Sequence, residues 1–419
     1  MSSSVQRRLG TADAVVLGLA AMLGTGVFAV WAPAAAAAGP WLLLAVVIAG
    51  IVAACNAAST ADLAVAHPES GGGFVYGRER LSPAAGRLAG VAFLVGKSAS
   101  AAAAAGVFGG YVLQVQPLPA AILAIVVVTV LNVAGVRWTA RGAYTLVGGT
   151  LAVLLVVIVV GLLGPSGAEE VASAATPEVE TVPMRSGPLG VLTAAGLVFF
   201  AFAGYARIAT LGEEVRDPGR TLRRAIVTAL GIALVTYLLV ATALLVGLGA
   251  DRLATEPAPL VALVDSGDTS AFGVLVRVGA AVAAGSALLS VLVGVSRTTL
   301  AMARRHELPA ALAAIGPRGT PWRADLAGGV VAVVLATLAG PIAAIALSAC
   351  SVLVYYAVIN VAALRLPAAQ RRWPAWTSCL GLLLCLGLAV LLPLQQVLIT
   401  AAALAVGWGI CTMHARARG

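Results

Sequence analysis

Long stretches of the chain carry no Asp, Glu, Lys or Arg, and short arginine-rich clusters separate them. The first stretch runs from Ala14 to Ala61. A membrane-crossing helix needs about 20 apolar residues, so this stretch holds two, with a turn near Gly39-Pro40 where proline cannot continue a helix. A third span is predicted from about Ala84 to Leu113, a fourth over Leu118–Val136 and a fifth over Gly142–Leu163. Pro188–Leu211 and Ala225–Gly249 give the sixth and seventh, and the eighth runs from near Ala271 to just before Arg304. Leu326–Leu364 breaks at Gly340-Pro341 into two spans, and Trp373–Ala415 breaks near Pro393 into two more. The pattern therefore predicts an all-α polytopic membrane protein with about twelve transmembrane helices.

Composition agrees. Hydrophobic residues make up 61% of the 419 and charged residues 10%, where a soluble domain carries about 25% charged. Mean hydropathy is +1.02. A secreted disulfide scaffold, a disordered chain and an ordinary cytosolic enzyme are all excluded. The formal net charge of +9 fits arginine-rich loops beside a lipid bilayer better than a nucleic-acid partner, since no basic run is interleaved with aromatics. Twenty of the 26 basic residues fall in loops on the side that holds both termini. The other side holds Arg185 and Arg252, with Arg277 near a span end, and carries Glu169, Glu170, Glu178, Glu180, Asp251, Glu256, Asp265 and Asp268. The basic side is thus expected to be cytoplasmic, with both termini on it, in a multi-pass plasma-membrane protein. Arg7-Arg8 before an apolar run is reminiscent of a leader, but the run continues into a second span.

The five cysteines lie in or near spans with no C-x-x-C spacing, and His67, His306 and His414 are far apart, so neither metal nor cofactor is expected. The informative residues are glycines. Span one contains Gly24-Thr25-Gly26 near its middle, and span six contains Ala203-Gly204-Tyr205. Backbone that unwinds inside a bilayer is tolerated only where it lines a cavity. Unwinding frees N–H groups at one half-helix end, suited to a carboxylate, and C=O groups at the other, suited to an ammonium. A zwitterionic amino acid carries both. Breaks five spans apart also match an inverted-repeat transporter. The competing reading is that the glycines let helices pack closely; that reading is preferred for Ala99–Ala105 with Gly106, Gly109 and Gly110.

Several segments resemble one family. Gly24-Thr25-Gly26-Val27-Phe28 is similar to the G-[ST]-G-[IV]-F motif of the amino acid–polyamine–organocation permeases. Phe199–Ala225 resembles that family's span six and the loop after it, Pro68–Tyr76 its P-E-[ST]-G-G-x-x-x-Y stretch, and Ser296-Arg297 with Ala301–Arg304 the close of its span eight. The resemblance implies a LeuT-like five-plus-five inverted repeat with broken helices one and six. Residues 1–12 would form a cytoplasmic N-terminus, 13–165 the first repeat, 166–187 an extracellular loop and 188–364 the second repeat. Residues 365–415 would be peripheral spans and 416–419 a cytoplasmic C-terminus. It implies that Gly24, Thr25 and Gly26 receive the substrate carboxylate, that the carbonyls of Leu23, Phe200, Ala201 and Ala203 receive the ammonium, and that Tyr205 is a gating aromatic.

Ionisable groups inside the membrane are functional candidates by default. Lys97, the sole lysine beside 25 arginines, lies well inside span three. Lysine can shed its proton when desolvated and arginine effectively cannot, so Lys97 is the candidate for coupling to a proton; the competing reading is a snorkelling or structurally paired residue. Aligned to the family, span five carries Thr150 where some members place a lysine, and Ser286 and Ser290 could offer oxygens to sodium. Arg207, Glu213 and Glu214 are inner-gate candidates. Asp13 is expected to cap span one, and Asp62 to be structural. With no carboxylate pair to receive a cationic side chain, the expected function is secondary active transport of neutral amino acids, coupled to protons, with no catalytic residues. An amine or organic-cation permease and an amino acid exchanger are alternatives; a membrane-embedded enzyme lacks a nucleophile–base pair, and a non-transporting sensor is a further reading.

Overall fold

A computed structural model of the chain describes residues 9–67, 71–135, 140–164, 187–209, 215–265 and 270–416. Its regular structure is helical: α1 (Thr11–Met22), α2 (Gly26–Ala29), α3 (Trp31–Ala38), α4 (Leu42–Ala66), α5 (Gly73–Arg80), α6 (Pro83–Val112), α7 (Pro117–Val133), α8 (Ala140–Leu163) and α9 (Pro188–Phe202). There follow α10 (Ala206–Ala209), α11 (Pro218–Leu248), α12 (Ala250–Thr255), α13 (Pro259–Val264), α14 (Ser270–Arg304), α15 (Trp322–Leu338), α16 (Pro341–Leu364), α17 (Ala375–Leu391) and α18 (Leu394–Arg416). Among the described residues, 9 helical segments are long and apolar enough to cross a membrane, and α7 and α17 are shorter apolar helices. Leu123, Val130, Leu383 and Val406 are each more than half exposed. Apolar side chains on the outside of a bundle identify lipid as the solvent, and the protein is an integral membrane protein.

Proline and glycine punctuate the helices where the sequence indicates. Pro83, Pro117, Pro188 and Pro341 each stand in the first turn, where the missing N–H costs nothing. Ser82 caps α6 by accepting the Ala85 N–H at 3.1 Å. Gly39, with φ of 54°, turns the chain between α3 and α4, a conformation that glycine adopts without a Cβ clash. Asp13 stands three residues inside α1 and accepts the Gly10 N–H at 2.8 Å, closing its first turn. Span seven starts earlier than its charge-free interval: α11 begins at Pro218, so Arg220, Arg223 and Arg224 ride on its first turns, as a straight-chain cation readily does in a helix. The short helices α5, α12 and α13 were not foreseen from hydropathy, being too short or too polar to register as spans.

The centre of the bundle is α6, packed on α14 and α16, while α9 packs on α3 and α4. Ala99 and Ala101–Ala105 are at most 2% exposed, so the alanine-rich face does serve close packing. Gly106 abuts Pro341 and Gly109 the carbonyl of Pro117, but Gly110 has open space beside it. One isolated bridge pairs Leu9 with Val215, and the Arg216 N–H donates to the Leu9 carbonyl at 3.0 Å. The entrance of span one is thereby tied to the segment after span six.

Candidate functional site

Both glycine-bearing spans are interrupted. α1 ends at Met22, the Leu23 N–H closes it on Leu19 O at 2.7 Å, and helix resumes at Gly26. α9 ends at Phe202, a tight 3-10 turn covers Ala203–Tyr205, and α10 follows. The two interruptions touch. A Cβ at Gly26 would strike the backbone of Ala201, and a Cβ at Gly204 would strike the backbone of Ala21. The glycines therefore serve both readings at once, because the unwound segments are also where the backbones press together. Tyr237 of α11, fully buried, adds a third tie. Its hydroxyl lies 2.7 Å from Met22 O and 3.0 Å from Ala201 O. A tyrosine has one O–H proton, which these two carbonyls must share.

A cavity of about 180 Å³ lies at this junction. Thr25 and Gly26 line it from the first break, and Phe200, Ala201, Ala203 and Gly204 from the second. Lys97 and Ser100 of α6 and Ser290 of α14 also face it. The lining continues along α4 through Thr60, Ala64 and His67, and along α14 to Arg297 and Thr298, so the cavity runs toward the basic end of the bundle. No residue of α3 lines it. On that side the Tyr111 hydroxyl donates to Phe28 O at 3.1 Å, and the two rings meet edge to face with centroids 6.2 Å apart. At the basic end Glu307, buried, is held by Arg78 and Arg87, each at 2.6 Å.

Eight of the residues picked from the sequence line the cavity: Thr25, Gly26, Lys97, Phe200, Ala201, Ala203, Arg207 and Ser290. Leu23, Gly24, Tyr205 and Ser286 do not. Leu23 is buried in the core, Gly24 packs against Ala287, and Tyr205 is turned away, its ring centroid 5.3 Å from that of Tyr356. The aromatic rings that do face the cavity are Tyr76, Phe93, Phe200 and Tyr355. Glu213 and Glu214 lie outside the described residues. The expected ammonium acceptors are already engaged in part: Phe200 O takes the Ala203 N–H, and Ala201 O takes the Tyr237 hydroxyl. Each carbonyl oxygen keeps a second lone pair for a ligand.

Two polar groups of the lining stand out. The Thr25 hydroxyl is buried without a hydrogen-bond partner among the described residues. Lys97 likewise makes no hydrogen bond or ion pair among them. Among the described residues no Asp or Glu lines the cavity, and the charged residues that do are Lys97, Arg207 and Arg297. Ser100 next to Lys97 is occupied, 2.7 Å from Ser348 Oγ and bonded to Gly96 O at 3.1 Å. His67 accepts from Arg80 Nε at 2.6 Å. Among the described residues no group of His, Cys, Asp and Glu could hold a metal ion.

Away from the cavity, α4, α16 and α17 share a buried polar cluster that the charge-free intervals had concealed. Asn360 Nδ2 donates to Asn56 Oδ1 at 2.6 Å, Ser59 Oγ donates to Asn360 Oδ1 at 2.7 Å, and Ser59 and Ser378 hydroxyls are 2.8 Å apart. Asn56 Nδ2 reaches Cys385 Sγ at 3.2 Å. The signal was an asparagine inside each of two otherwise apolar runs, Cys55-Asn56 and Ile359-Asn360. Asp62 accepts the N–H groups of Arg372 at 3.0 Å and Trp373 at 3.3 Å, a structural role as expected.

Comparison with known proteins gives the family. The family described as amino acid permease matches residues 9–413. The chain belongs to the amino acid permease family. That family lies within the amino acid–polyamine–organocation superfamily, as the motifs implied. The permease is 48% identical over 404 residues to an uncharacterized transporter of Mycobacterium tuberculosis, covering 96% of this chain and 90% of the relative. It is 25% identical over 422 residues to the branched-chain amino acid permease BcaP of Bacillus subtilis, covering 94% and 88%. It is 28% identical over 356 residues to the methylthioribose transporter of the same organism, covering 79% and 75%. All three relatives are named as transporters or permeases, two of them for small-molecule substrates, and this chain is a membrane transporter of the same family.

Proposed function

We propose that the permease is a secondary active transporter of amino acids whose side chains are not cationic, and that it moves them into the cell across the plasma membrane. The observation that carries this reading is the contact of the two interrupted helices around one cavity, with the unpartnered Thr25 hydroxyl facing it. The substrate carboxylate sits against Thr25 and the first amides of α2, which have no intrahelical acceptor. The ammonium sits against the free lone pairs of Ala201 O and Ala203 O. A cationic side chain finds no carboxylate among the described residues of the lining.

The architecture that goes with this reading is about twelve spans, arranged as two inverted five-span repeats with α17 and α18 outside them. Both termini are cytoplasmic, following the arginine bias, and the cavity then faces the cytoplasm. The coupling ion is a proton. Lys97 is the carrier, because a lysine in a low-dielectric cavity can exist in either protonation state, whereas arginine stays charged. Arg207 with Glu213 and Glu214 forms the inner gate.

The first test is binding. Purified permease is heated with each of the twenty amino acids, and a ligand raises the unfolding midpoint by mass action. At least one free amino acid is expected to stabilise the protein, while its N-acetyl derivative and its methyl ester, each missing one charge, do not. Methylthioribose belongs in the panel, because a relative bears that name; stabilisation by it alone would remove the zwitterion reading. The second test is coupling. Uptake into vesicles is expected to rise with acidic external pH, without sodium, and to lose that dependence in Lys97→Arg. A sodium requirement with normal Lys97→Arg transport would move coupling away from Lys97, to oxygens such as Ser290.

A further inference from the structure

We propose that Lys97 is a subsite for a second anionic group, so that the preferred substrates of the permease are amino acids with carboxylate side chains. The inference rests on the amino acid reading above and sharpens the neutral class that the sequence favoured. Absence of carboxylates argues against cationic side chains, but it does not separate neutral from acidic ones. Lys97 does.

The argument is one of charge and position. The two poles of a bound amino acid are taken by the breaks, on α2 and α9. Lys97 sits on α6, which packs on α14 and α16, and the cavity lies between that wall and the breaks. A substrate held by its head at the breaks points its side chain into the cavity toward α6. What it meets there is an amine with no partner among the described residues, in a lining to which α14 contributes the hydroxyls of Ser290 and Thr298. An uncompensated ammonium inside a membrane protein is costly, and the described residues of the lining supply no counter-charge. A side-chain carboxylate supplies it and receives a charge-assisted hydrogen bond in return. A neutral side chain leaves the amine uncompensated, and a cationic one places two like charges together. Arg297 on the path to the basic end adds positive potential, which favours an anion along the route.

The same atom can serve the proton. A protonated Lys97 holds the acidic substrate, and loss of that proton after release returns the empty site to a neutral amine. Substrate selectivity and pH drive are thus separable by mutation. Lys97→Arg keeps a fixed charge and retains the preference for acids without the pH drive, and Lys97→Gln loses both.

The test compares each acid with its own amide on the purified full-length permease. Binding of L-glutamate against L-glutamine, and of L-aspartate against L-asparagine, is measured by titration calorimetry or thermal shift. The acid is expected to bind at least about tenfold more tightly than its amide, and the ratio to fall to about one in Lys97→Gln and to persist in Lys97→Arg. Because each ratio is taken within one protein, a change in expression cancels. Should Lys97→Gln not yield folded protein, Lys97→Met, which also lacks the charge, takes its place and the ratio is again expected to fall to about one. Equal or tighter binding of the amides to wild type overturns the proposal, as does an acid preference that survives in Lys97→Gln. Tight binding of 2-oxoglutarate, which lacks the ammonium, would keep the Lys97 subsite and overturn the zwitterion site at the breaks. Binding of neutral amino acids alone would do the reverse. If no amino acid binds, both readings fall together.

Discussion

Asn56, Ser59, Asn360 and Ser378 lie between α4, α16 and α17, while Thr25 and Lys97 face the cavity between α2, α9 and α6. Both sets place polar groups inside a membrane protein. In the first set each side chain finds another within hydrogen-bond reach, and none of them lines the cavity between the breaks. In the second, a hydroxyl and an amine lack partners among the described residues and share a void. Desolvation penalises both sets equally in principle. The satisfied cluster has its compensation built in and so reads as fixed architecture. The unsatisfied pair has its compensation missing, and a ligand is what can supply it.

This contrast can be broken most forcefully at Gly26. Gly26→Leu is expected to reduce uptake to background while the protein still reaches the membrane, because even a Cβ there collides with the Ala201 backbone. Gly26→Ala should already be severely impaired for the same reason; normal uptake by either variant would separate the breaks from the substrate. Asn360→Ala tests the other region. It removes the amide that Ser59 Oγ and Asn56 Oδ1 share, leaving them only Ser378 and the Cys385 thiol, and a lost buried hydrogen bond costs about 1 kcal/mol. The thermal midpoint should fall while the acid-to-amide binding ratio stays at its wild-type value. A changed ratio with an unchanged midpoint would reverse the roles of the two regions. The smallest effect is expected at Tyr237→Phe, which keeps the buried ring against Trp31 and Phe202 and removes only the hydroxyl. A lost hydrogen bond of this kind is worth about 1 kcal/mol, so ligand affinity should shift by less than about tenfold. A larger loss would mean that the shared proton positions the breaks rather than merely joining them.

The breaks were legible because glycine in mid-span is a local signal, readable from a few adjacent residues. Their contact with each other was not, because nothing in Gly26 or Gly204 states which backbone each will face. The same limit explains Tyr205. An aromatic one residue past Gly204 was assigned to the cavity by resemblance, but the 3-10 turn rotates it onto Tyr356. Tyr237 was missed although a hydroxyl amid Leu234-Val235-Thr236 and Leu238-Leu239 is conspicuous in retrospect. Lys97 was found by being the one lysine among arginines, a compositional clue, but its want of a carboxylate partner could be seen only once the cavity lining was assembled. Asn56 and Asn360 escaped because charge counting ignores amides.

The bridge between Leu9 and Val215 has a mechanical consequence. The half-helix α1 is held at one end by this bridge and at the other by Tyr237 on Met22 O. A rod pinned near both ends to the same neighbour turns with it as a lever and does not bend alone. Over its 12 residues α1 is about 18 Å long, so a tilt of about 10° shifts one end relative to the other by about 3 Å, roughly the width of a water molecule. A reporter dye attached ahead of Leu9 would ride that lever, and its distance from a second dye on the far end of α14 would read the tilt directly.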